Sequence, residues 1–170
     1  MECAPFADTI KGQGYSFQSD WHFVNQPYTD AYLQGILNSV KSIAMVGASP
    51  DKTKFSYGVL RVLSETGYDM IPVNPRLGLE EIRDLKVYPS LASIDRSVDM
   101  VEVFRRSEDL MGIAKEAIAI GAKVLWAQIG VVDHDAAALA EEAGLQVVMD
   151  RCPKIELFRP FWKPKLHLGI

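Results

Sequence analysis

Residues 42–58, SIAMVGASPDKTKFSYG, hold the pattern from which the fold class can be predicted. It opens on a short apolar run, which is typical of a strand buried on both faces of a parallel sheet. The run ends at Gly47, where a glycine allows a tight turn, and Val59, Leu60 and Leu63 follow at helical spacing. A buried strand that leads through a glycine turn into a helix is typical of the opening unit of a doubly wound α/β fold.

The rest of the chain continues this alternation. Apolar runs predict further strands at residues 69–75, 98–104, 123–127 and 145–149, with a short edge strand at Val87–Tyr88. Ser107 is the predicted N-cap of one helix, which ends at Gly121, and Asp133 is that of another, which ends at Gly144. The pattern predicts an α/β fold, a single Rossmann-like domain with a doubly wound, mainly parallel sheet and the strand order 3-2-1-4-5-6.

The sequence divides into three parts around this domain. The domain itself is expected to occupy residues 41–152. Residues 1–40 precede it as an N-terminal arm and a lead-in helix, for which Thr29 is the predicted N-cap. Residues 153–170 follow it as a C-terminal tail.

Composition and charge exclude several classes of protein. The 170 residues carry a formal net charge of −4, which disfavours sequence-independent nucleic-acid binding because such binding needs a strongly basic surface. The apolar runs are too short to span a bilayer, and the N-terminus lacks the regions of a signal peptide. Cys3 and Cys152 are too far apart for a Cys-x-x-Cys metal pattern, and the three histidines match no metal spacing. We therefore expect a cytoplasmic protein with no metal, no nucleic-acid partner and no membrane partner.

In a doubly wound sheet the ligand crevice lies at the carboxyl ends of the strands. After the first strand, a turn with Gly47, Ala48 and Ser49 leads into a helix whose free N–H groups would point at an anion. Lys52 and Lys54 add positive charge, so the turn predicts a phosphate or pyrophosphate site. The alternative is an ordinary loop with solvated lysines, since the turn lacks the second glycine of GxGxxG and the spacing of a Walker A motif.

The residues after two later strands favour a ligand with a phosphorylated ribose. NAD-binding folds place a carboxylate after the second strand, but this chain has Asn74 and Arg76 there, which suits NADP or coenzyme A. Arg105 or Arg106, at the end of a later strand, could hold a phosphate through two parallel hydrogen bonds. The alternatives are a solvated Arg76 and surface pairing of the two later arginines with acidic residues of the next helix.

Six segments taken together resemble a known family. They are VGASPDKTKFSYGV, GYDMIPVNP, KVYPSL, VDMVEVFRRSE, GAKVLWAQIGV and VVMDRC, in unbroken order over about residues 40–152. In these segments the chain resembles the CoA-binding-domain proteins of the YccU type, small stand-alone relatives of the CoA-binding domain of the succinyl-CoA synthetase alpha subunit. The resemblance implies a Rossmann-like fold with coenzyme A at the carboxyl ends of the strands. The expected cofactor-binding residues are Gly47, Ala48, Ser49, Lys52, Lys54, Ser56, Asn74, Pro75, Arg76, Phe104, Arg105, Gln128 and Gly130.

The function expected from this resemblance is the binding of CoA or an acyl-CoA. Catalysis is not expected, because Ser49 has no readable His–Asp pair and no two carboxylates are spaced for acid–base chemistry. The synthetases also need a second domain, for which the residues after 152 are too few. Two alternatives stay open, an NADP-binding oxidoreductase subunit and an interaction protein with a vestigial nucleotide groove. The protein partner is left unknown.

Cys152 is the one candidate redox residue. It follows the last predicted strand, at the same sheet edge as the turn after Gly47, and Arg151 and Lys154 beside it would favour the thiolate. We expect that it can form a mixed disulfide with CoA under oxidation. The alternative is a buried and inert cysteine, because free cysteine is among the most buried residue types.

Overall fold

A computed structural model describes residues 28–159, and the remainder of the predicted arm and tail lies outside the described residues. Its main sheet has five parallel strands in the order β2-β1-β5-β6-β7, and β3 and β4 form a separate antiparallel pair. The strands are β1 (Ser42–Val46), β2 (Asp69–Val73), β3 (Glu81–Ile82), β4 (Leu85–Lys86), β5 (Met100–Val103), β6 (Val124–Ala127) and β7 (Gln146–Val148). The predicted Rossmann-like α/β class is therefore confirmed.

Helices cover both faces of the sheet. They are α1 (Asp30–Ser39), α2 (Phe55–Glu65), α3 (Ser107–Ala119), α4 (His134–Glu142) and α5 (Pro153–Leu157). One apolar cluster joins α3 and α4 to one face of the sheet, and a second cluster joins α1, α2 and α5 to the other. Because β1 is buried against both clusters, its side chains are apolar at successive positions, as its sequence predicted. No helix within the described residues has the length and apolar character needed to cross a membrane.

The expected strand order is confirmed for the five strands of the sheet, but the outermost predicted strand is reduced to a bridge. Tyr88 makes only one parallel bridge to β2, where its N–H donates to Pro72 O and its carbonyl accepts from Asn74 N, each at 2.9 Å. Pro89 comes next and has no N–H with which to continue the ladder. The edge strand predicted at Val87–Tyr88 is thus reduced to a bridge, and the hairpin of β3 and β4 before it was not predicted.

One of the predicted helix caps is also wrong. Asp133 caps α4 as expected, since its Oδ1 accepts from Asp135 N and Ala136 N, each at 3.0 Å. Ser107 lies inside α3, and its hydroxyl accepts instead from Val132 N at 3.0 Å. The tertiary contact with the loop after β6 therefore replaces the local capping bond.

The lead-in helix α1 covers the outer edge of β7. The Tyr28 hydroxyl accepts from Met149 N at 2.8 Å, and the Tyr32 hydroxyl bonds both the N–H and the carbonyl of Val147 at 3.2 Å. These bonds satisfy main-chain groups that an edge strand would otherwise leave open. Arg159 joins α1 to the chain after α5, because it pairs with Asp30 at 3.1 Å.

Candidate functional site

The end of β1 lies directly against the end of β5. Gly47 has φ +89°, and a Cβ at this position would lie 2.5 Å from the carbonyl oxygen of Phe104 and 3.1 Å from Cδ of Arg105. The N–H of Gly47 donates to Val73 O at 3.0 Å, which joins the turn to the end of β2 as well. Since α2 and α3 pack on opposite faces, the β1–β5 boundary is the switch point where ligands of such sheets bind.

A pocket of about 300 Å³ opens on one side of Gly47, and we call it the turn pocket. Its other lining residues are Ser49, Lys54, Phe55, Ser56 and Phe104. Helix α2 begins here without a side-chain cap and without an acidic residue in its first turn. Among the described residues, no acceptor bonds the main-chain N–H of Phe55 or Ser56.

Ser56 is the most informative residue of the turn pocket. It is only 5% exposed, and its hydroxyl has no hydrogen-bond partner in the part of the chain that the structure describes. Ser56 and Phe55, whose main-chain N–H groups have no acceptor among the described residues, therefore line the same pocket. This arrangement suits an anion, because helix N-termini carry partial positive charge and unsatisfied donors.

In the loop between Gly47 and α2, the carboxylate of Asp51 is hydrogen-bonded within the loop itself. Asp51 Oδ1 accepts from the main-chain N–H of Thr53 at 2.9 Å and from its hydroxyl at 2.7 Å. The hydroxyl bond is the larger cause that lowers the pKa of Asp51. Of the two lysines singled out in the sequence, Lys54 lines the turn pocket, whereas Lys52 is exposed and lines neither pocket.

A second pocket, of about 470 Å³, opens on the α3 side of Gly47, and we call it the helix pocket. Its apolar lining is Val46, Val73, Pro75, Pro89, Leu91 and Ile113. Its polar and charged lining is Ser90, Arg105, Glu108, Asp109 and Glu116. Gly47 lines both pockets, so the two meet at this residue. The helix pocket has apolar walls for a flat ring, and the turn pocket has the donors for an anion.

Asn74 clamps the turn to the loop after β2. Its Nδ2 donates to Ala48 O at 2.7 Å, and its Oδ1 accepts from Arg76 N at 2.9 Å. Asn74 and the fully buried Ala48 therefore shape the site without lining either pocket. Pro75 lines the helix pocket, but Arg76 is exposed and lines neither pocket.

Both arginines after β5 are paired with acidic side chains of α3, which is the alternative of surface pairing given in the sequence analysis. Arg105 Nε lies 3.2 Å from Asp109 Oδ2, and Arg106 Nε lies 3.7 Å from Glu108 Oε2. The two pairs differ in position, because Arg105 lines the helix pocket and Arg106 does not.

Gln128 and Gly130 are not brought into either pocket. Gln128 is buried and donates from Nε2 to Glu102 Oε1 at 3.2 Å, while its Oε1 accepts from Ile129 N at 3.1 Å. The N–H of Gly130 donates to Asp150 Oδ1 at 2.8 Å. The amide of Gln128 is thus turned inward, toward a carboxyl group that the sequence analysis did not single out.

Glu102 is a fully buried carboxyl group in the middle of the sheet. Its Oε2 has no hydrogen-bond partner among the described residues. Burial raises the pKa of Glu102 to about 8, and the hydrogen bond from Gln128 only partly offsets that effect. In the sequence, the feature that could have indicated this buried carboxyl group is one acidic residue inside an otherwise apolar run at positions 100–104.

Cys152 lies in the apolar cluster on the α2 face and is 6% exposed. It lines neither pocket. The guanidinium of its neighbour Arg151 lies 5.9 Å from the centre of the Tyr28 ring. The mixed disulfide with CoA stays a prediction, and a direct approach to the sulfur would require the surrounding side chains to move.

The comparisons with known proteins agree with this geometry. The family model for the CoA binding domain matches residues 41–157. An uncharacterized protein of Bacillus subtilis, YneT, is 41% identical over 125 residues, which cover 74% of this chain and 91% of that protein. A solved structure of a hypothetical protein from Pyrococcus horikoshii is 37% identical with a TM-score of 0.74, and the match covers 79% of this chain and 95% of that one.

A larger enzyme subunit also matches. The alpha subunit of ADP-forming acetate–CoA ligase I from Pyrococcus furiosus is 34% identical over 97 residues, which are 55% of this chain and 21% of that subunit. The chain therefore corresponds to about a fifth of the ligase subunit. The family resemblance stated from the sequence is confirmed.

Proposed function

Because this chain belongs to the CoA-binding domain family, we propose that it binds coenzyme A or an acyl-CoA at the carboxyl edge of its main sheet. The observation that carries the proposal is the turn pocket, which is lined by Phe55 and Ser56, the two residues at the start of α2 whose main-chain N–H groups have no acceptor among the described residues. These donors fit the pyrophosphate of CoA.

The two pockets suggest how the ligand would be divided between them. The pyrophosphate would lie in the turn pocket with Ser49, Lys54 and Ser56, and the adenosine would lie in the helix pocket. Charge supports this division, since Lys54 is the charged residue of the turn pocket, whereas three carboxylates line the helix pocket. Arg105 offsets one of the three, so the lining of the helix pocket stays net negative and the turn pocket is the more favourable place for the pyrophosphate.

The proposal is for binding without a reaction of its own. Acetate–CoA ligase activity belongs to a subunit of which this chain matches 21%, so it is not carried over. A cytoplasmic location stays part of the proposal. The acyl group that the site would carry is left open.

The direct test compares CoA, acetyl-CoA, NADP and ATP by thermal shift. CoA is expected to raise the melting temperature, because a ligand that binds only the folded state adds about 2.7 kcal/mol of stability at a hundred times its Kd. Lys54→Ala should weaken CoA binding, and Lys41→Ala, which changes an exposed lysine before β1 that lines neither pocket, is the matched control. A shift with NADP but none with CoA would reverse the ranking of the alternatives, and no shift with any ligand would favour the vestigial groove.

Arg76 is expected to contact the 3′-phosphate of CoA. In that case dephospho-CoA should bind more weakly than CoA by about ten- to hundredfold, the value of a charge-assisted hydrogen bond. Arg76→Ala should abolish this preference, and Arg61→Ala, at an exposed position on α2, should leave it intact. Isothermal titration measures both affinities for each variant. Equal affinities of the unmodified protein for the two ligands would remove Arg76 from the site.

A further inference from the structure

We propose that Asp109 positions Arg105 to bind a phosphate oxygen of the ligand, and so sets the affinity of the site for anions. This inference rests on the proposed function, since it assigns the anion contact of the same site. Arg105 is the residue that would touch the ligand. Asp109 acts through it.

The pair has a defined geometry. Arg105 follows β5, Asp109 lies in the first turn of α3, and Arg105 Nε donates to Asp109 Oδ2 at 3.2 Å. The side chains are 47% and 30% exposed, so the pair stands at the pocket wall rather than in the core. Ordinary surface pairs of this kind contribute little stability, which leaves room for another role.

The bond uses only one of the donor groups of Arg105. A guanidinium has five N–H donors in a planar fork, and the single bond from Nε leaves those of Nη1 and Nη2. Within residues 28–159, neither Nη atom has a hydrogen-bond acceptor. Holding Nε therefore fixes the plane of the group while two parallel donors stay free for a phosphate.

Arg105 lines the helix pocket beside Gly47, the residue that the two pockets share. Its Cδ is 3.1 Å from the position of a Cβ on Gly47, and Gly47 lines both pockets. An anion in the turn pocket would therefore approach the residue against which the arginine stem packs. Arg106 lacks this placement, because its side chain is 78% exposed and lines neither pocket.

A simpler role for Asp109 predicts the opposite effect of its removal on anion binding. If the carboxylate only neutralised Arg105, its removal would strengthen anion binding. If it positions Arg105, its removal weakens binding by about two- to tenfold, because a mobile long side chain must then be ordered when the ligand binds. The Asp109→Asn variant keeps a carbonyl acceptor for Nε, so it should retain most of the affinity that Asp109→Ala loses.

The experiment is a double-mutant cycle by isothermal titration with CoA. Arg105→Ala is expected to weaken binding about ten- to hundredfold. Asp109→Ala should weaken binding in the unmodified background and have no further effect in the Arg105→Ala background. Arg61→Ala, at an exposed position on α2, is the control for charge alone, because Arg106 Nε itself lies 4.0 Å from Asp109 Oδ2. Melting temperatures of all variants check that the fold is intact, and Asp109→Asn serves if Asp109→Ala unfolds.

The outcomes separate this inference from the proposed function. The same variants are titrated with inorganic pyrophosphate, which carries the anion without adenosine. If CoA binds and Asp109→Ala binds it equally or more tightly, the positioning role is overturned and CoA binding stands. If pyrophosphate follows the expected order of variants but CoA does not bind, the proposed function fails and the positioning role stands. Binding of neither ligand to the unmodified protein overturns both.

Discussion

Gly47→Ala is expected to lose CoA binding and to melt at a lower temperature. A left-handed backbone costs a non-glycine residue about 1–2 kcal/mol, and φ at Gly47 is +89°. The new Cβ would also lie 2.5 Å from the Phe104 carbonyl oxygen, so β1 and β5 would have to move apart at the floor of both pockets. With an overpacking cost of about 1–3 kcal/mol, the expected destabilisation is on the order of 2–5 kcal/mol.

Two other glycines provide matched controls for this variant. Gly67 has φ +98° with nothing within 4 Å of its added Cβ, so Gly67→Ala reports the backbone strain alone. Gly58 lies inside α2 with open space around it, so Gly58→Ala should stabilise the helix by about 0.5–1 kcal/mol. Thermal unfolding and CoA titration are measured for all three. If Gly47→Ala behaves like Gly67→Ala in both measurements, the contact between the strand ends does not shape the site.

Stability is expected to fall as the pH rises from about 4.5 to about 8, because of Glu102. Below this window, both the folded and the unfolded chain hold the proton. Within it, the folded chain keeps the proton and the unfolded chain loses it, so the free energy of unfolding decreases by about 1.4 kcal/mol per pH unit. Above about 8, both states are ionised and the contribution of Glu102 is constant.

Glu102→Gln should remove this pH dependence. The amide keeps the shape of the protonated carboxyl and an acceptor for Gln128, but it cannot ionise. Near pH 8 the variant should therefore be more stable than the unmodified protein by a few kcal/mol, measured by urea unfolding at a series of pH values. Glu80→Gln, at an exposed position, is the control. If the free energy of unfolding of Glu102→Gln fell with pH between 5 and 8 as steeply as that of the unmodified protein, Glu102 would not be the cause of the pH dependence.

A second carboxylate acts in a separate pH window. The side-chain hydrogen bond from Lys123 is the main reason that the pKa of Asp99 is lowered to about 2. Its contribution to stability is present above the ordinary pKa of about 4 and is lost as the pH falls toward 2. Because this loss lies below pH 4, it does not overlap the effect of Glu102.

The α/β class could be predicted from the sequence alone, and so could the glycine turn at the carboxyl edge of the sheet. The apolar runs of β1 and β5 are local patterns, and a strand buried on both faces is apolar at most of its positions, although β5 includes the buried Glu102. The glycine turn at Gly47 and the cap at Asp133 also depend on the residues next to them in the chain. Such features are readable because their physical causes lie within a few residues.

Tertiary structure decided the features whose partners are distant in sequence. The hydroxyl of Ser107 bonds Val132 rather than its own helix, and Gln128 turns inward because Glu102 lies beside it on the neighbouring strand. Short-range patterns carry no information about such pairs. The same holds for the contact between Gly47, which lines both pockets, and Arg105, which lines the helix pocket. Parallel pairing of β1 with β5 brings these residues together, and only long-range strand pairing can do so.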